Sequence, residues 1–151
     1  MSSVSEEEPA DPLQRFAAAL QAGKPPPLRG ERFLRTSLRT LHILAFGVYF
    51  GGHVYGVEPE RLIYGLAAVV SSGGAFAAFE IWRAPVWLLQ LRGTVTFLKI
   101  LLLLCIGLFW EGRIPLMILI TVGAVVSSHM PARYRYYSPF LGRVLDEGHK
   151  G

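Results

Sequence analysis

The stretch 38–57, LRTLHILAFGVYFGGHVYGV, limits what this chain can become more than any other. At roughly 1.5 Å per residue, about 20 helical residues match the ~30 Å hydrocarbon core of a bilayer. The stretch is apolar enough to sit there, yet it carries His42, His53 and four glycines. The two histidines are eleven residues apart, and eleven steps of about 100° return nearly to one helix face. Ala45, Phe46 and Tyr49 fall on the same stripe. An ionisable side chain inside a membrane helix faces protein rather than lipid, so this stripe is expected to point into a bundle.

Further apolar runs follow at 62–82, 94–110 and 114–132, separated by short turns. With 52% hydrophobic residues and a mean hydropathy of +0.38, the chain reads as a small integral membrane protein. Its expected fold is all-α, a four-helix up-down bundle spanning 38–132. A polar, proline-rich tail and basic lead-in (1–37) precede the bundle, and a basic, aromatic tail (133–151) follows it. Short turns make consecutive spans antiparallel neighbours. The acidic start, Glu6 to Glu8 and Asp11, lacks the basic region that opens a signal peptide, so the first span is expected to remain as an anchor. Within the N-terminal tail, PLQRFAAALQAG suits either a mobile tail or a short helix lying at the membrane interface.

Arginine placement sets the expected orientation. Arg29, Arg32, Arg35 and Arg39 precede the first span, Arg83 and Arg92 flank the second loop, and Arg133, Arg135 and Arg143 follow the fourth. The opposite turns hold only Arg61 and Arg113. By the positive-inside rule both termini are expected to be cytoplasmic, in a bacterial inner membrane. The formal charge of +4 is explained by these membrane-flanking arginines, and no nucleic-acid partner is needed. The single cysteine, Cys105, has no partner for an internal disulfide.

That topology places His42, Glu80, Lys99 and His129 near one leaflet, one per span. Each has a plain reading: an interfacial histidine, a boundary carboxylate beside Trp82 and Arg83, or a lysine that snorkels to the surface. Together they suggest a cofactor. Two imidazoles on different helices at matching depth are what a bis-histidine b-type haem requires. His42 and His129 would be the iron ligands, with Arg39, Arg133, Arg92 and Lys99 available to the propionates. His53 is a secondary metal candidate or a proton-relay residue.

Three stretches carry a family resemblance. LHILAFGVYFGG, AAVVSSGGAF and TFLKILLLLC resemble helices of the CopD-like membrane family and of its relative, the HemJ-type protoporphyrinogen oxidase. The resemblance implies a helical bundle that carries b-type haem or handles copper, with His42 and Lys99 at functional positions. The chain departs from HemJ in lacking its remaining histidine-bearing motifs, and Met117 and Met130 are few for a copper transporter. The leading expectation is a b-haem membrane protein with an electron-transfer role, serving a membrane redox partner. The alternatives are a non-enzymatic accessory or structural subunit of a larger complex, and a copper-handling or transport protein. Homo-oligomerisation is compatible with each.

Overall fold

The computed structural model describes residues 11–23, 25–26 and 28–145. The described chain is mostly helical: α1 (Pro12–Ala22), α2 (Glu31–Val54), α3 (Pro59–Arg83), α4 (Leu91–Leu108), α5 (Arg113–His129) and the single turn α6 (Ala132–Arg135). Short 3-10 turns cover Pro85–Leu89 and Trp110–Gly112. A two-residue antiparallel ladder, β1 (Tyr137–Ser138) with β2 (Arg143–Val144), closes the described residues.

Local chemistry sets the helix ends. Pro59 opens α3 at a first-turn position, where a missing N–H costs no helical hydrogen bond. The same helix stops at Arg83 because Ala84 precedes Pro85 and is pushed to extended backbone (φ −151, ψ 84). Met130 before Pro131 ends α5 in the same way. At the start of α4, Gly93 lies against the Trp87 carbonyl so closely that a Cβ would collide with it. The turn can fold back onto α4 only because that position has no side chain.

Three helical stretches are long and apolar enough to cross a membrane: Pro59–Arg83, Leu91–Leu108 and Trp110–His129. The expected first span behaves differently. Its helix begins at Glu31 and includes Arg32, Arg35 and Arg39, so the uncharged part, 40–54, falls short of the ~20 residues of a full crossing. The arginines that read as a separate lead-in are therefore helical. Glu31 and Arg35, one turn apart and 3.1 Å from each other, support that first stretch.

Helix α2 packs along α3 and also touches α5, while α4 packs on α5. The core consists of Tyr49, Leu62, Val69, Ile106, Met117 and Ile120, with Ala45, Phe46 and Phe50 against it. The stripe anticipated on α2 thus turns inward, and Tyr49 and His53 are its buried members. Outside it, Leu44 and Val48 on α2, Leu104 and Leu108 on α4, and Val122 and Val126 on α5 are exposed. An apolar surface this extensive is stable in lipid rather than in water.

The N-terminal amphipathic stretch forms α1, whose Asp11 side chain accepts a hydrogen bond from the Leu13 N–H (3.3 Å). It packs on the turn Pro85–Leu89. Ala17, Val86 and Trp87 are buried, whereas Leu13 and Phe16 remain exposed.

Candidate functional site

The polar residues form three groups, and the largest is a chain of alternating charges at the end of the bundle where α2 begins and α3 ends. Arg83 Nη2 lies 2.6 Å from Glu31 Oε2, and Glu31 Oε1 lies 3.1 Å from Arg35 Nη2. Arg35 Nε lies 2.9 Å from Glu80 Oε1, and Glu80 Oε2 lies 3.6 Å from Arg92 Nη1. Five charged residues on three helices are joined in sequence, with each carboxylate shared by two arginines. Glu80 is 5% exposed, and a buried carboxylate needs such partners to stay charged. Burial alone would raise the Glu31 carboxyl. The hydrogen bond and charge of Arg83, with the charge of Arg35, outweigh it and hold the group below its ordinary range.

This chain also ties down both flanking segments. Arg83 Nη1 donates to the Pro25 carbonyl (3.1 Å) and to the Pro26 carbonyl (3.0 Å). Arg92 Nε donates to Gln90 Oε1 (2.7 Å), and the fully buried Gln90 donates from Nε2 to the Leu145 carbonyl (2.8 Å). The Arg92 guanidinium also stands over the Tyr136 ring at 5.1 Å. Glu80, Arg35 and Arg83 are thus working members of one network, and no local motif marks them. The weak signal available in sequence was a carboxylate near a span end with arginines on both neighbouring helices.

The second group surrounds His42. Its Nδ1 lies 3.2 Å from Ser72 Oγ, and Ser72 Oγ itself donates to the Ala68 carbonyl at 2.6 Å. With the serine proton committed there, Ser72 Oγ accepts from His42 Nδ1–H, which leaves Nε2 with a free lone pair. The ring packs on Gly73, where a Cβ would come within 2.8 Å of His42 Cε1. Lys99 on α4 is within electrostatic reach of both His42 and Arg39.

His129 and His53 complete the picture. His129, the last residue of α5, is exposed and hydrogen-bonds through Nδ1 to its own Val125 carbonyl (2.9 Å). Its acceptor is a carbonyl, so Nδ1 carries a proton. Both histidines show the Nδ1–H pattern that metal-bound imidazoles use, yet no contact joins them among the described residues. Arg133 pairs with the ring and hydroxyl of Tyr134. His53 is 4% exposed and has no hydrogen-bond partner at either ring nitrogen among the described residues. It stands edge-on to Tyr49 (4.7 Å) and beside Trp110 (5.3 Å), while Tyr55 and Tyr64 point away into the exposed surface.

No family model, curated protein or solved structure matches the chain.

Proposed function

We propose that this chain is a non-catalytic accessory subunit of a membrane assembly, a four-span protein with both termini on the cytoplasmic side. One observation carries the reading. Five ionisable residues at the arginine-rich end, both buried or half-buried carboxylates among them, are joined to one another in the run Arg83, Glu31, Arg35, Glu80, Arg92. A catalytic carboxylate or base must be free to meet a substrate, whereas these groups are spent on fastening α2, α3, α4 and the segments at residues 25–26 and 145. The product is a rigid polar platform on a bundle whose apolar flanks stay open to lipid or to neighbouring helices. Helix α2 serves as the fourth span by lying along α3, its arginine-rich start at the headgroups and its inward stripe in the core. The arginine bias of that same end supports the cytoplasmic assignment.

A second reading retains b-type haem. The placement of His42 and His129 on different helices, each engaging a partner through Nδ1, supports it, and it agrees with the CopD-like resemblance. A bound haem would supply one-electron chemistry, with His42 and His129 as ligands and Arg39, Lys99 and Arg133 near the propionates.

One experiment separates the two. The protein is extracted from its own membranes in mild detergent, resolved by native electrophoresis, and scanned as a reduced-minus-oxidised spectrum. Migration in a complex far larger than the chain, with a flat spectrum, is the result expected of an accessory subunit. A chain that migrates alone with stoichiometric haem, lost in His42→Ala, would establish the second reading instead.

A further inference from the structure

Helix α1 uses only part of its apolar face. At roughly 100° per residue, Leu13, Phe16, Ala17 and Leu20 fall within an arc of about 100°, with Arg15 and Ala18 on the far side. Ala17, at one edge of the arc, is fully buried where α1 packs on the turn Pro85–Leu89, and Val86 and Trp87 of that turn are buried with it. Phe16, at the other edge, is 52% exposed, and Leu13 between them is exposed as well. The turn covers one side of the apolar arc and leaves the adjoining side open.

The level at which α1 is held identifies what meets the open side. The turn Pro85–Leu89 joins α3 to α4, two of the helices long and apolar enough to cross a membrane. It lies where both helices leave the bilayer, and α1, packed on it, shares that level. A second tie holds the chain beyond α1 in the same place. The Arg83 guanidinium that donates to the Pro25 and Pro26 carbonyls also stands over the Trp82 ring at 5.8 Å. Trp82 is exposed at the end of α3, and tryptophan in that position marks the boundary between hydrocarbon and headgroups. An apolar helix edge at this boundary continues the lipid-facing surface of the spans, while Arg15 is turned away from it. We propose that α1 is an interfacial helix whose Leu13–Phe16 edge is buried among the headgroups and upper acyl chains of the bilayer. Its Ala17 edge stays on the turn. The seat is independent of whether the protein serves as a subunit or carries haem.

The test uses the full chain with Cys105→Ala, held in phosphatidylcholine nanodiscs and carrying a nitroxide on either Phe16→Cys or Ala18→Cys. Both positions are exposed, so neither label displaces a packed side chain. Oxygen concentrates in lipid and a nickel chelate stays in water, so collision with each relaxant reports the surroundings of the label. The oxygen-to-nickel accessibility ratio is expected to be roughly tenfold higher at position 16 than at position 18. Burying one large apolar side chain shifts a population by that factor or more. The same label on the same helix serves as the control, so the difference reports the helix face and not the probe. Equal ratios, with the label in water at both positions, overturn the interfacial seat. Low accessibility to both relaxants at position 16 assigns a contact with protein, such as a second copy of this chain, and overturns lipid as the occupant.

Discussion

Arg35 Nε on α2 lies 2.9 Å from Glu80 Oε1 on α3, although the two residues are far apart in the chain. Glu80 is the hinge of the charge network, because its other oxygen faces Arg92 of α4 at 3.6 Å. Replacing it with leucine removes the carboxylate that Arg35 shares with Arg92, whose side chain is only 16% exposed. Breaking a buried pair from one side costs about 3–5 kcal/mol, and the lower end applies because Arg35 keeps a route to solvent. Glu80→Leu should therefore lower unfolding stability in detergent by about 3 kcal/mol. Thermal unfolding of the purified variant measures this, and a change within error would remove Glu80 from its central place.

The fit of His42 on Gly73 yields a coupled pair of substitutions. A methyl group at position 73 would approach His42 Cε1 to 2.8 Å, inside van der Waals contact, so the ring must shift and loosen its bond to Ser72. Gly73→Ala should cost about 1–3 kcal/mol, as overpacking does. His42→Ala opens the space that the new methyl needs. The double variant is thus expected to be more stable than the two separate losses imply, by at least about 0.5 kcal/mol of coupling. Strict additivity in the four-member cycle would show that the ring does not rest on Gly73.

How much of this was readable beforehand depended on whether the signal was local. The apolar runs locate α3, α4 and α5 within a few residues, because hydrophobic length is a property of contiguous sequence. The inward stripe on α2 was legible too, since a step of about 100° places Tyr49 and His53 together. The start of α2 was not, because Arg32, Arg35 and Arg39 read as a polar approach while also being good helix formers. Nor were the partners of Glu80, whose arginines lie on other helices. For His129 the sequence did not set the rotation about the α5 axis, and rotation decides what its imidazole meets.

Glu31 makes the network sensitive to acid. Its carboxyl is held below the ordinary range because Arg83 and Arg35 outweigh burial, so the folded state binds this proton less readily than the unfolded chain does. The stabilisation it provides is fully present above the unfolded value of about 4.3 and disappears as pH falls through the lower folded value. Comparing wild type with Glu31→Gln should show a constant stability difference from neutral pH down to about 5, shrinking towards zero in more acidic solution. Melting temperatures measured across that series test the sign. A difference that grew on acidification would mean that the carboxyl is raised, not lowered.

His53 offers the opposite kind of test, because its polarity is unused. The ring is 4% exposed, lacks a hydrogen-bond partner among the described residues, and is enclosed by Tyr49 and Trp110. Burying a polar group without a partner costs about 1–3 kcal/mol. Phenylalanine keeps a flat ring in the same aromatic setting and has no nitrogen to desolvate. His53→Phe is accordingly expected to raise stability by about 1 kcal/mol, offset in part by its slightly larger ring, whereas His53→Ala should lower it by opening a cavity. If both substitutions destabilise the protein equally, the imidazole nitrogens must be meeting a partner that the aromatic pocket admits. A water or ion held by His53 would then be sought from the difference in the pH dependence of unfolding between wild type and His53→Phe.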